Sequence, residues 1–500
     1  MEGKNVLLAI VLSTVVLVIW ATFFEPPPLE KQIPEQEIAE GVESNEDISS
    51  PSVENVEIIQ SATRKEIINK TNRIVIENSN IKGSISLTGG IIDDITFKNY
   101  KENLDSNKHV TFLNPKNSKE GYYIETGWAP SPGEKIKLPT DSTVWKVKGN
   151  AVLLANRPVT LEWDNGEGLI FTKKIELDEK FLFIITQGIK NNSNKSFKFY
   201  PYAQITRNYR PTVTPIYILH EGFIGVFDEE LKEEDYKDIE KEKFVANSRK
   251  GWLGITDKYW LTAIVPEKGK KFKSEFLSKD GKYKANFIIT EPTVLNSNTT
   301  KTSEIKAFTA AKEVAIIDGY VEKLGIEKFD LAIDWGWFYF FTKPLFFIID
   351  YFFKLTGNFG LAIVIITALV RLIFFPLANY SFRSMAKMKV LQPEMLRLKE
   401  LHKDDKVKLQ QEMMALYKRE KVNPISGCLP VIIQIPFFFA IYKMLFVTIE
   451  MRHQPFFGWI NDLSARDPTS IFNLFGLIPW DPPTFLMIGA WPILMGLSMY

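Results

Sequence analysis

The stretch FGLAIVIITALVRLIFFPLANY, residues 359–380, is an apolar run with one arginine, Arg371, inside it. It is as long as the roughly 20 residues that a helix needs to cross a bilayer. A charge at that depth costs roughly 2.5–3.5 kcal/mol on insertion scales, so it is retained where it serves a function. The run therefore predicts a transmembrane span over 358–379 with Arg371 as its functional centre.

The average composition conceals this membrane character. Mean hydropathy is -0.07 over 500 residues and the formal net charge is +1, so no global field favours a nucleic-acid partner. The one cysteine, Cys428, excludes an internal disulfide. The chain lacks HExxH, GxSxG, P-loop and CxxC motifs, and its four histidines are scattered. The sequence thus predicts no catalytic residue, metal site or cofactor.

The first 62 residues predict an anchor followed by a tether. The uncharged run from Asn5 to Phe24 has no small-x-small cleavage site, which favours a retained transmembrane signal anchor over 1–24 rather than a cleaved signal peptide. Residues 25–62 contain three consecutive prolines and many scattered acidic residues. Such a segment buries too little apolar surface to fold, so we expect a flexible, extended tether over 25–62.

Residues 63–335 predict a large antiparallel β-sandwich. Short alternating runs, separated by Gly, Asn, Asp and Pro, occur at 73–77, 84–87, 91–97, 169–177, 181–189, 197–205 and 287–290. A charged insertion at 228–243 predicts a surface helix or loop. The aromatic residues of this region are expected to fill the core, although a sugar site also uses aromatics: Trp145, Trp163, Trp252, Tyr259 and Trp260.

After this domain the chain returns to the bilayer at the aromatic cluster 335–341. One helix over 344–378 would measure about 52 Å, too long for a hydrocarbon core of about 30 Å. We therefore divide it into an interfacial amphipathic helix, 344–356, and the Arg371 span. Residues 425–447 predict a second span, which contains Gln434 and Lys443, and 448–484 an outer loop. The apolar run 485–500 predicts the start of a further span, and we expect the chain to be truncated there.

Residues 380–422 form two amphipathic segments, which predict a helical hairpin. The hairpin carries eleven Lys and Arg residues, against Arg452 and Arg466 in the following loop, so the positive-inside rule places it in the cytoplasm. The N-terminus then also lies inside and the β-sandwich outside. A merely solvated loop is the alternative to a recruitment surface formed by Arg383, Lys387, Lys389, Arg397, Lys399, Lys418, Arg419 and Lys421.

Long strings of the sequence resemble the YidC membrane-protein insertase family. They are NFGLAIVIITALVRLIFFPLANYSFRSMAKMKVLQPEMLRLKE (358–400), DDKVKLQQEMMALYKREKVNPISGCLPVIIQIPFFFAIYKML (404–445) and WINDLSARDP (459–468). GSISLTGGIIDDITFKNY (83–100) and DLAIDWGWFYFFTKPLF (330–346) resemble its Gram-negative branch, which has a large periplasmic domain. The resemblance implies an inner-membrane insertase and chaperone that works alone or with the Sec translocon, without bond chemistry. The implied partners are nascent integral membrane proteins, the ribosome or ribosome–nascent chain complex, and membrane lipids.

In that family the intramembrane arginine lies in a hydrophilic groove open to the cytoplasm and the lipid, and its match here is Arg371. Such a groove shortens the apolar distance that the polar flank of a substrate must cross. We expect Thr367, one turn earlier, and Gln434, on the facing span, to add hydrogen-bond partners. The alternative for Arg371 is a structural charge that pairs with a carboxylate or snorkels inward, and the alternative for the other two is helix packing. The competing functions are a small-solute transporter and a periplasmic carbohydrate-binding or carbohydrate-converting role of the β-sandwich.

Overall fold

The computed structural model describes residues 62–212, 219–336, 338–403, 405–423, 427, 429–467, 469–478, 480 and 488–499. The predicted anchor over 1–24, and all of the predicted tether except its last residue, lie outside these residues. The described chain begins with a short helix, α1, Arg64–Lys70. Thr63 caps its N-terminus in a capping box with Glu66, in which each side chain accepts a hydrogen bond from the other residue's backbone N–H.

Two large sheets form the β-rich domain. The first sheet has eleven strands in the described chain, which are β1 (Arg73–Glu77), β2 (Ile81–Ser86), β3 (Ile91–Lys101), β4 (His109–Leu113), β5 (Tyr122–Pro130), β7 (Val152–Leu154), β11 (Phe197–Arg207), β14 (Phe244–Ser248), β17 (Phe272–Lys279), β18 (Lys282–Ile289) and β19 (Thr293–Leu295). Their main order is β14-β17-β18-β11-β5-β3-β2-β1-β7, with β19 paired to β11 and β4 to β3. The pairing is antiparallel except between β1 and β7, which run parallel.

The second sheet has nine strands among the described residues, which are β6 (Lys146–Lys148), β8 (Val159–Asp164), β9 (Leu169–Leu177), β10 (Leu182–Asn191), β12 (Gly222–Phe227), β13 (Glu230–Glu234), β15 (Gly251–Thr256), β16 (Trp260–Val265) and β20 (Thr300–Ala311). Their order is β13-β12-β15-β16-β20-β10-β9-β8-β6. Both sheets contribute to one hydrophobic core, for example through Ile85 and Phe97 of the first and Phe171 and Ile185 of the second. The predicted β-rich domain is thereby confirmed.

The charged insertion at 228–243 is more ordered than its sequence indicates. Strand β13 pairs with β12 across a two-residue turn, Asp228 and Glu229, whose φ angles are 45° and 76°. Two positive φ values are typical of the hairpin turn that matches the twist of its strands. The strand lies at the edge of its sheet, where charged side chains discourage pairing with another chain. A short helix, α2 (Tyr236–Lys241), follows it.

The aromatic residues predicted for the core divide into two groups. Trp145 and Trp252 are buried, whereas Trp163, Tyr259 and Trp260 are half-buried. Trp260 stacks on Phe97 with ring centroids 5.0 Å apart. The core interpretation therefore fits the first two best, and the other three lie nearer the surface.

The C-terminal part of the described chain is helical. Its helices are α3 (Val314–Leu324), α4 (Tyr339–Thr356), α5 (Phe359–Ile373), α6 (Phe375–Leu401), α7 (Lys406–Arg419), α8 (Leu429–Val447) and α9 (Ala490–Met499). Short 3-10 helices lie at Phe329–Ala332, Ile449–Met451 and Ile471–Gly476. The expected combination of a β-rich domain with a helical C-terminal region is confirmed.

Two of these helices differ in extent from the sequence expectations. Helix α4 begins at Tyr339, five residues before the interval 344–356, and so includes part of the aromatic cluster. The interval 358–379 is divided at Phe374, where α5 and α6 meet at an angle of 58°. Pro376 lies in the first turn of α6 and has no N–H with which to continue the hydrogen bonds of α5, which explains the break.

Candidate functional site

Aromatic rings join the helices that contain the predicted groove residues. Phe353 of α4 stacks on Phe359 of α5 with ring centroids 3.7 Å apart. Phe341 of α4 and Phe374, at the end of α5, both contact Phe437 of α8 at 5.1 Å. Helix α4 therefore contacts both of the other helices, and the end of α5 reaches the middle of α8.

Helices α5 and α8 run antiparallel. Near the start of α5, Gly360 lies against Phe456, which follows α8 in the chain. At the other end of α5, Phe374 meets Phe437, ten residues before the end of α8. Beyond the bend the two segments stay antiparallel. Ser381 of α6 donates a hydrogen bond at 2.9 Å to the carbonyl of Gly427, which precedes α8.

Arg371 lies in the last turn of α5, and its side chain is exposed. Among the described Lys and Arg residues of helices α3 to α9, the ion pairs are formed by Lys343, Lys354, Arg419 and Lys443. Arg371 thus makes no ion pair with any carboxylate that the structure describes. In that part of the chain no carboxylate holds Arg371 as a structural charge, whereas a charge that snorkels inward stays an alternative.

Thr367 and Gln434 have different surroundings. The hydroxyl of Thr367 donates to the carbonyl of Ile363 in its own helix at 2.7 Å, so its proton is already engaged. Gln434 of α8 is half-buried, and its amide hydrogen-bonds to no described residue. Arg371 and Gln434 each lie one turn before an aromatic of the Phe374–Phe437 contact, on helices of opposite direction. They are therefore separated by about 9 Å along the helix axes and do not form one tight cluster.

The basic segment forms a hairpin of α6 and α7. Tyr417 donates to the sulfur of Met395 at 4.0 Å, and Arg419 pairs with Glu394 at 2.7 Å. Every predicted recruitment residue is exposed. Arg419 also pairs with Glu420 at 3.0 Å, so two carboxylates balance its charge. The other seven residues of this set form no ion pair with a described carboxylate. The side of the membrane on which this hairpin lies stays a prediction.

A joint between the β-rich domain and α8 was not predicted from the sequence. The carboxylate of Asp334 accepts from Lys443 Nζ at 2.7 Å, from the backbone N–H of His220 at 3.1 Å and from that of Gly336 at 3.1 Å. The Lys443 side chain is only 4% exposed. Gly336 has a φ of 73°, which favours glycine, and a Cβ there would lie 3.0 Å from Lys443 Cε. The signal in the sequence was Lys443 itself, a charge inside an apolar run.

Further contacts extend this joint beyond the end of α8. Glu450 accepts a hydrogen bond at 2.8 Å from the N–H of Val314, the first residue of α3, where a helix favours a negative charge. Burial nevertheless raises the pKa of Glu450 to about 7. Arg452 donates to the carbonyls of Lys101 and Glu102 at 2.8 and 3.0 Å. The C-terminal end of α8 is therefore fixed to the β-rich domain.

By length and composition, α8 is the one described helix that qualifies singly as a membrane span. The bent pair α5 and α6 passes the same test when the two are counted together. Among the described residues no group of three His, Cys, Asp or Glu side chains is placed to hold a metal ion.

Comparison with known proteins gives matches over the whole of this chain. The YidC periplasmic domain family matches residues 73–348, and the 60Kd inner membrane protein family matches residues 351–500. The membrane protein insertase YidC of Pelagibacter ubique is 54% identical, over 100% of this chain and 89% of that protein. The insertase of the same name from Bradyrhizobium diazoefficiens is 42% identical, over 100% and 87%.

Two solved structures overlap the chain more loosely. A crystal structure of an active YidC insertase with its first transmembrane domain resolved has a TM-score of 0.29 at 18% identity, covering 85% of this chain and 87% of that one. A galactose mutarotase related enzyme from Lactobacillus acidophilus has a TM-score of 0.34 at 10% identity, covering 48% and 97%. The full-length sequence identity and the two family matches decide the assignment: this chain belongs to the YidC family of inner-membrane protein insertases.

Proposed function

We propose that this insertase moves the polar flanks of its substrates through a hydrophilic groove in which Arg371 is the cationic wall and Thr367 and Gln434 are polar neighbours. Insertion requires no bond to be made or broken, so none of these residues needs a catalytic role. A wet groove lowers the cost of transferring a polar segment, because that segment meets water and fixed dipoles for part of the way instead of hydrocarbon.

One observation carries this proposal: an exposed arginine without a described carboxylate partner in a strongly apolar helix. Arg371 lies twelve positions after Phe359, which corresponds to about 18 Å along α5. If the start of α5 marks the outer boundary of a core about 30 Å thick, Arg371 lies just past its middle on the inner side. The bend at Phe374 follows within one turn, so water from the cytoplasm has a short route to the guanidinium.

The arrangement around the groove extends the proposal to topology and partners. The N-terminal anchor (1–24) and tether (25–62) precede a periplasmic domain (63–335), an interfacial helix (344–356) and the Arg371 span (358–379). The hairpin (380–422) then lies in the cytoplasm, followed by the outward span (425–447), a periplasmic loop (448–484) and a further span from 485. The exposed hairpin lysines and arginines recruit a ribosome–nascent chain complex or contact anionic lipid. Cooperation with the Sec translocon belongs to the same proposal.

Substitution of Arg371 tests the groove. In cells depleted of their own insertase, Arg371→Leu should lower insertion of substrates with acidic tails roughly tenfold, equivalent to about 1.4 kcal/mol. Arg371→Lys retains the charge and should preserve most of the activity. Leu372→Ala, at an exposed neighbouring position on the same helix, is the matched control.

Site-specific photo-crosslinking supplies an independent readout. Probes at Thr367, Arg371 and Gln434 should form adducts with a stalled nascent membrane protein, and a probe at Leu372 should form few. Absence of adducts at all three positions, together with full activity of Arg371→Leu, would show that substrates take another route.

A further inference from the structure

A cavity of about 460 Å³ lies inside the β-rich domain, lined by both sheets and by the segment 138–145. The first sheet contributes Glu125 of β5, Gln204 of β11 and Lys284 of β18. The second contributes Lys173 of β9 and Gln187 of β10, which are cross-strand neighbours. Its volume is in the range of sites that hold one small organic molecule. No residue of the groove or of the hairpin lines it.

Lys173 is a charge in a position that the strand reserves for apolar side chains. Along β9, the inward residues Leu169, Phe171, Ile175 and Leu177 are all buried, and Lys173 occupies the inward place between them. Its ammonium donates to the carbonyl of Gly90 at 3.3 Å and lies 5.1 Å from the ring of Trp145. A buried lysine costs stability unless something compensates its charge, so its presence here indicates a use.

Lys284 is a second buried lysine whose ammonium charge is not balanced by a described carboxylate. It donates to the side-chain oxygen of Gln204 at 3.5 Å and, like Lys173, pairs with no described carboxylate. The carboxylates of the cavity, Glu125 and Asp141, both accept from Lys116, at 2.9 and 3.2 Å. Three lysines therefore face two carboxylates that a single lysine already holds. The cavity has a surplus positive charge and is suited to an anion.

The remaining polar atoms specify more than a bare anion. Three residues of the lining carry a buried side-chain atom that has no hydrogen-bond partner among the described residues: the carbonyl oxygen of Gln187 and the indole nitrogens of Trp128 and Trp145. Buried polar atoms are normally paired, so these three indicate hydrogen bonds that a ligand would complete. One is an acceptor and two are donors, and hydroxyl groups satisfy both kinds.

We propose that this cavity binds a small sugar acid, with Lys173 and Lys284 as the cationic contacts of its carboxylate and with Gln187, Trp128 and Trp145 bonded to its hydroxyls. The site is separate from the insertion groove, and its occupancy does not depend on how the groove works.

Calorimetric titration of the full chain in nanodiscs tests the site. At pH 7, D-galacturonate should bind at least tenfold more tightly than D-galactose, which lacks the carboxylate, and than acetate, which lacks the hydroxyls. Lys173→Met should weaken galacturonate binding at least tenfold. The matched control is Lys174→Met, because Lys174 is the next residue of β9 and is exposed on the opposite face.

The pH dependence gives a second readout. Burial lowers the pKa of Lys173 and of Lys284 to about 8. Lys116 faces the same cavity, but Glu125 and Asp141 outweigh its burial and raise its pKa, so it stays charged. Affinity for galacturonate should therefore fall as the pH rises from 7 to 9.5, while the carboxylate of the ligand stays ionised throughout.

Several outcomes would overturn the proposal. If galactose binds as tightly as galacturonate, the carboxylate makes no contribution to binding. If acetate binds as tightly, the hydroxyls make none. The absence of binding at about 10 mM galacturonate, well above a millimolar dissociation constant, would show that the cavity does not bind sugar acids. Retained affinity in both Lys173→Met and Lys284→Met would show that the ligand binds elsewhere in the chain. If one variant fails to fold, as judged by its thermal unfolding, the other decides. Insertion activity is measured separately, so failure here leaves the groove untouched.

Discussion

Two lysine–aspartate pairs show how burial changes the value of the same contact. Lys443 and Asp334 are 2.7 Å apart with side chains 4% and 18% exposed, whereas Lys354 and Asp350 are 2.6 Å apart with the lysine 72% exposed. Removing one partner of a buried pair leaves an uncompensated charge and typically costs about 3–5 kcal/mol. An exposed pair four residues apart on a helix contributes roughly 0.3–0.5 kcal/mol.

At the residue scale we therefore predict a large difference between two similar substitutions. Lys443→Met should lower the free energy of unfolding by about 3 kcal/mol, and Lys354→Met by less than about 1 kcal/mol. Denaturant unfolding of the detergent-solubilised chain measures both. Adding Asp334→Asn to Lys443→Met should recover part of the loss, because the orphaned charge disappears. Equal effects of the two single substitutions would contradict the role given to the joint.

At the scale of elements, the alternation of apolar and polar residues predicts those strands that have one apolar face. The alternation in 169–177 and 73–77 predicts β9 and β1 with their observed bounds, because one face of each strand is apolar. Strand β13 was missed, since an edge strand rich in Glu and Lys has no such face. The break at Phe374 had a signal in Pro376, but hydropathy alone joins the two helices into one run.

Two helical glycines allow an element-scale prediction with opposite signs. In α5, a Cβ at Gly360 would overlap the ring of Phe456. Gly360→Ala should therefore push α5 away from the segment that follows α8 and lower the free energy of unfolding by about 1–3 kcal/mol. In α3, nothing lies within 4 Å of a Cβ at Gly319, so Gly319→Ala should stabilise the protein by about 0.5–1 kcal/mol through helix propensity. Thermal unfolding of both variants gives the comparison, and a stabilising Gly360→Ala would exclude this close approach.

At the scale of the whole molecule, residues far apart in sequence form the contacts that sequence reading missed. Asp334 and Lys443 are separated by more than a hundred residues, and neither has a local pattern that indicates the other. Arg371 could be selected from sequence, because a charge in an apolar run is conspicuous. Its lack of a described partner, and its offset of about two turns from Gln434, required the arrangement of α5 and α8.

The joint also bears on topology, because it fixes which end of α8 faces the β-rich domain. Its nineteen residues span about 28 Å, close to the hydrocarbon thickness, and the hairpin precedes the opposite end. The domain and the hairpin should therefore lie on opposite sides of the membrane.

In a Cys428→Ser background, a membrane-impermeant maleimide should label Lys190→Cys, exposed on β10, in intact spheroplasts. Lys399→Cys, exposed on α6, should react only after lysis, which labels both variants. Labelling of Lys399→Cys in intact spheroplasts would place the hairpin outside, and the charge bias of eleven basic residues against two would then not determine the orientation of this chain.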